Sequence, residues 1–132
     1  MIAYLACPYT HEDADVRHAR ELEATKAAAF LLKNLQIAVY SPITHGHRVA
    51  DFLPAALRNH SDFWLDQCLP ILRKCTCMYV LQIPGWEKSS GIAKELAVAD
   101  EHKISLFSLI PEGNSYKLQG FTPCLGGFKE EA

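Results

Sequence analysis

The stretch "TCMYVLQIPGWEKSSGIAKELAVAD", residues 76–100, decides the fold. Up to Ile83 it is almost unbroken apolar sequence, which predicts a strand buried on both faces and therefore a parallel sheet. Pro84 and Gly85 stop that strand. From about Ser90 to Glu101 the period becomes helical, with Ile92, Leu96 and Ala99 on one side. Glu95 falls on the same side. A carboxylate on the apolar side of a helix is costly to bury without a partner, so its presence asks for a reason.

Outward from this unit, "MIAYLA" (1–6) predicts a first strand, stopped by "CPYTHED". A helix is predicted over residues 12–34, burying Val16, Ala19, Leu22, Ala29, Leu32 and Leu35 and leaving Arg17, Arg20, Glu23 and Lys33 outside. Its alanines allow close approach to a sheet. "QIAVYSP" (36–42) reads as a second strand ended by Pro42. Residues 43–62 read as loop and short helix with Asp51 as N-cap. "DFWLDQCLPILRKC" (62–75) is helical, with Pro70 kinking it or resetting its start. "KISLFSLI" (103–110) is a further strand, and the glycine- and proline-bearing segment from about Pro111 reads as an irregular tail. No repeat or linker divides residues 1–132, which predicts one domain. Strands alternating with helices predict an α/β fold with a mostly parallel sheet of four or five strands. Its functional loops then lie at the carboxyl ends of the strands: "CPYTH", "SPITHGH" and "IPGWEKSSG".

The formal net charge of −2 provides no electrostatic drive towards nucleic acid or anionic membrane. No apolar run approaches a membrane span of ~18 residues and no signal peptide precedes the first strand, so a cytoplasmic location is expected. The five cysteines lack disulfide or zinc spacing and read as reduced, mostly buried thiols. Cys7, beside a candidate site, could still be reactive.

Ser89 or Ser90 can cap the helix that carries Glu95, and Gly91 lets a ligand approach the backbone. Hydroxyls, free amides and the helix dipole together make a phosphate seat. His45 and His47 supply too few ligands for a metal site and read as hydrogen-bonding groups for substrate or loop; no metal or other cofactor is expected. Trp64 reads as a core or interface residue. Trp86, in an active-edge loop, is a candidate contact for a base.

"YLACPYTH", "VYSPITHGH", "FWLDQCLPIL" and "VLQIPGWEKSSGIAKELAVA" together resemble the nucleoside 2-deoxyribosyltransferase superfamily, in the right order over about residues 2–107. The closer likeness is to a small bacterial and phage branch with a "PGW…S-x-G…E" signature. The resemblance implies a flavodoxin-like (Rossmann-like) three-layer sandwich that cleaves N-glycosidic bonds of nucleosides or nucleotides. It also implies a homodimer or homotetramer in which a neighbour helps complete each site. On this likeness Glu95 is the nucleophile on the anomeric carbon. Tyr9, after the turn at Pro8, orients it. Asp66 contacts sugar hydroxyls or protonates the leaving base, for which a loop histidine is the other candidate. Ser89 stands where deoxyribosyltransferases carry an aspartate and nucleoside 5′-monophosphate N-glycosidases a phosphate-binding serine. An aspartate repels a phosphate dianion, whereas serine beside free amides donates to it.

Two departures stand out. Cys75-Thr76 replace an aspartate the superfamily usually carries, and the tail does not match, although Ser115 or Tyr116 could reach a neighbour's site. The leading expectation is a hydrolase acting on a (deoxy)nucleoside 5′-monophosphate. A deoxyribosyltransferase exchanging bases and a non-catalytic nucleotide-binding protein remain alternatives.

Overall fold

A computed structural model describes the backbone of residues 1–124 and 127–130, with side chains through Phe121. Five strands are ordered β2-β1-β3-β4-β5, and a short β6 pairs on the outer side of β5. β1 (Ile2–Ala6), β2 (Ala38–Tyr40), β3 (Cys77–Leu81) and β4 (Ser105–Glu112) pair in parallel. β5 (Ser115–Cys124) and β6 (Gly127–Glu130) are antiparallel. The architecture is mixed α/β with mostly parallel strands.

Every residue of β3 is buried, as its apolar run predicts. The alternation of strand side chains divides the core in two. Tyr4, Ala6, Met78 and Val80 pack with Leu72 and with Ile92, Leu96 and Ala99. Ala3, Leu5, Cys77, Tyr79 and Leu81 pack with Ala24, Ala27 and Leu31. The first group meets α4 (Ser61–Leu72) and α5 (Ser90–Glu101); the second meets α1 (Ala14–Leu35). Fully burying one side chain such as Leu31 contributes about 2 kcal/mol.

Several local expectations are corrected. The buried stripe of α1 is Ala24, Ala27 and Leu31, not the predicted one: Ala19 and Ala29 are exposed, and Leu22 and Leu32 are each 52 % exposed. Ala24 and Ala27 let the helix lie close on the sheet, and of the expected residues Leu35 packs at the edge of that cluster. Asp51 does not start a helix. α2 runs Pro42–Ala50 and is capped by Ser41, whose Oγ accepts from the Thr44 amide at 3.4 Å; Asp51 is its C-cap. Ser41-Pro42 is thus an N-cap followed by an N1 proline rather than only the end of a strand. A single-turn helix, α3, covers Ala55–Arg58. α4 continues through Pro70, whose ring falls two residues before the helix ends, where only one intrahelical bond is forfeited.

Residues 111–124, expected to be irregular, are strand and turn. Glu112 pairs with Ser115 across a two-residue turn that begins at Gly113, φ +60°, and β5 returns along β4. A glycine first in a two-residue hairpin loop suits the twist of the strands. Tyr116 packs on Phe30 of its own chain with ring centroids 5.0 Å apart, and Ser115 lies in the ladder. Among the described residues no helix is long and apolar enough to cross a membrane.

Candidate active site

The strand order reverses between β1 and β3, and a cleft of about 1070 Å³ opens at their carboxyl ends. This is the topological switch point where open parallel sheets bind ligands. Residues 7–12 after β1 form one wall, α2 and α4 a second, and Gly85 with residues 88–91 a third. Glu95 reaches the cleft from α5, one turn below the helix start.

Glu95 is 7 % exposed. Its carboxylate accepts a hydrogen bond from the hydroxyl of Tyr4, a fully buried residue at the centre of β1. Burial pushes the Glu95 carboxyl up to about 7, and the Tyr4 hydrogen bond works against that rise. The Tyr4 phenol is driven upward by burial and by the Glu95 charge, so it stays a donor. The hydroxyl expected from Tyr9 therefore comes from Tyr4. Tyr9 instead lies 2.6 Å from Nδ1 of His47, whose Nε2 is 3.0 Å from Nδ1 of His18.

Ser89 caps α5, its Oγ accepting from the Ile92 amide at 3.2 Å, which leaves its hydroxyl hydrogen free to donate. Ser89, Ser90 and Gly91 all border the cleft. A Cβ at Gly91 would meet only Ser89 Oγ, at 3.7 Å, so this fold itself does not require glycine there. Arg17, Arg20, Arg58 and Lys88 add positive charge around the walls. Arg20 also straps the site together, donating to the Thr10 carbonyl at 3.1 Å and the Pro84 carbonyl at 3.4 Å. Gly85, at φ +98°, lies against that guanidinium. Gly85→Ala is expected to destabilise the protein by about 1–3 kcal/mol and to loosen the strap, measured by urea denaturation.

Pro8, Tyr9 and His47 line the cleft, as expected from the sequence. Asp66, His45 and Trp86 are not among its lining residues. The cleft-facing residues of α4 are Ser61, Trp64, Leu65 and Cys68, one helical stripe, and Asp66 falls on the exposed side. His45 is exposed beside Tyr40, and Trp86 packs on Phe121 with centroids 5.9 Å apart. Trp64, expected in the core or an interface, lines the cleft; its indole N–H donates to the Arg58 carbonyl at 2.8 Å, and a Cβ at Gly46 would come within 3.3 Å of its ring. Cys7 also lines the cleft, but burial pushes its thiol up to about 12, which makes it a poor nucleophile at neutral pH.

A family model, described as a domain of unknown function (DUF1937), matches residues 1–109. The chain belongs to the DUF1937 family. No curated protein matches the sequence. The span shared with DUF1937 includes every residue that lines the cleft and stops short of β5.

Chemically, the cleft joins a buried carboxylate held by one phenol to a helix start rich in donors. The first can attack or stabilise an electron-poor carbon. The second can seat an anion.

Proposed function

We propose that this protein is an N-glycoside hydrolase that splits a (deoxy)nucleoside 5′-monophosphate into free base and 5-phospho-sugar, on a flavodoxin-like fold. The observation that carries the reading is Glu95: a carboxylate inside a cleft, buried, and held by a tyrosine hydroxyl. Burial shields a glycosyl-enzyme from stray reaction, and the Tyr4 hydrogen bond keeps the carboxylate available as an anion. Ionised Glu95 attacks the anomeric carbon as the base departs through an oxocarbenium-like transition state, and water then releases the sugar. Ser89, Ser90 and the first amides of α5 hold the phosphate, with Lys88 adding charge. The distance along the helix between Ser90 and Glu95 suits a substrate whose phosphate and reacting carbon stand several ångströms apart, at a rise of about 1.5 Å per residue.

The test is chromatography of base released from ribo- and deoxyribonucleoside 5′-monophosphates, with the matching nucleosides alongside. Release from monophosphates only, unaffected by a second free base, is the expected result. Exchange between free nucleosides would transfer the site to a deoxyribosyltransferase. Tight nucleotide binding without any product would leave a binding protein.

A further inference from the structure

The base leaves with an electron pair and needs a proton, and Asp66 lies outside the cleft that holds Glu95. What the cleft does hold is a chain of three hydrogen-bonding groups. Tyr9 Oη and His47 Nδ1 are 2.6 Å apart, with the rings edge to face. His47 Nε2 and His18 Nδ1 are 3.0 Å apart, again edge to face. All three residues line the cleft, and His18 is exposed at the outer end. We propose that Tyr9 is the acid that protonates the leaving base, with His47 refilling its proton and His18 positioning the His47 ring. This rests on the N-glycosidase reading of the cleft.

The hydrogen bonds switch with one proton. When the pair of imidazoles is neutral, Tyr9 donates to Nδ1 of His47, and Nε2–H of His47 donates to His18. When His47 is an imidazolium, both its ring nitrogens are donors. It then donates to the Tyr9 oxygen and to His18, and the phenol hydrogen is turned towards the cleft. Burial holds the Tyr9 phenol in its protonated form.

The step balances. An oxygen of Glu95 bonds to the anomeric carbon as the bond from that carbon to the base nitrogen breaks. The electron pair goes to the base, which takes the Tyr9 proton, and Tyr9 takes the Nδ1 proton of His47. In the second half, water attacks the anomeric carbon, the bond to Glu95 breaks, and the water proton returns through Tyr9 to His47.

Charges around the pair come from the first loop, α1 and α2. Glu12 borders the same cleft, Glu21 and Asp51 act on Tyr9, and Arg17 and Arg48 stand against them. Arg20, Arg58 and Lys88 line the remaining walls. His11, at the same wall, has Nδ1 occupied by the Asp13 amide at 3.0 Å.

The experiment compares two substrates in wild type, His47→Ala and His18→Ala: a nucleoside 5′-monophosphate and the 4-nitrophenyl glycoside of the same 5-phospho-sugar. Nitrophenolate leaves without a proton. His47→Ala is expected to slow base release about 10²-fold or more while nitrophenolate release falls less than about threefold. His18→Ala, at an exposed position, removes the contact that holds the His47 ring and is expected to slow base release by severalfold while leaving nitrophenolate release unchanged. Equal losses on both substrates would overturn the relay and leave the glycosidase standing. Failure of wild type on both would remove the glycosidase reading and the relay with it.

Discussion

Glu95→Gln is expected to abolish base release and, in the same molecule, to stabilise the fold above neutral pH. The two effects share one cause. A nucleophile that is replaced by an amide cannot form the glycosyl-enzyme, and a loss of at least about 10³-fold follows. The same carboxylate has its pKa raised to about 7 by burial. The folded protein therefore holds this proton more tightly than the unfolded chain, whose glutamate titrates near 4.5. Stability from this group is complete below about pH 4.5, is lost as pH rises through 7, and stays lost above. The span corresponds to about 3 kcal/mol, so urea midpoints of wild type should fall between pH 5 and 8 more steeply than those of the glutamine variant. At pH 8 the variant should be the more stable protein. The wild-type rate should move the other way, with kcat/KM rising through an apparent pKa near 7 as the nucleophile ionises. A variant that keeps wild-type turnover would end the mechanism.

The inward carboxylate behind this expected conflict is legible in the sequence as a local inconsistency. A glutamate at the apolar side of the helix after "SSG" breaks the pattern that the rest of that helix obeys, and such breaks mark functional positions. The central strand was equally plain, since an apolar run of that length has no other place in an α/β fold than between two layers of side chains. The loops at the carboxyl ends of β1 and β3 followed from topology. What stayed hidden depended on rotation about a helix axis. Asp66 and Cys68 are two residues apart, and only the orientation of α4 decides that the thiol borders the cleft while the carboxylate faces solvent. For α1 the ambiguity was stronger, because apolar residues occur on both sides and no dominant stripe exists.

The Tyr4 partner was legible in principle. A tyrosine inside "MIAYLA" must bring its hydroxyl to an acceptor once buried, just as Glu95 must find a donor. Two buried polar groups, each without a local partner, are the signal. Tyr9, five residues further on in the loop, is the tyrosine that the likeness to deoxyribosyltransferases indicates, but its hydroxyl meets His47. The hairpin at Gly113 has its own local signal, since Gly-Asn between two strand-forming segments is a turn signature even where further glycines and prolines blur the pattern.

Tyr4→Phe separates the two tyrosines. The substitution keeps the ring, so the packing of this fully buried residue is preserved and only the hydrogen bond to Glu95 is lost. That bond lowers the Glu95 pKa, so its removal raises it further above 7. The acid limb of kcat/KM should shift to higher pH, with a loss at pH 7 on the order of tenfold for each pK unit gained. Stability should fall by about 1–3 kcal/mol at pH 8, where the carboxylate is ionised and its donor is gone, and by less at pH 5, where the carboxyl is neutral in the folded protein. Tyr9→Phe, by contrast, removes the contact to His47 and should leave the Glu95 limb where it is, while lowering the rate for bases that need a proton. Parallel pH profiles of the two variants decide the matter: a shifted acid limb in Tyr9→Phe but not in Tyr4→Phe would return the orienting role to the loop tyrosine.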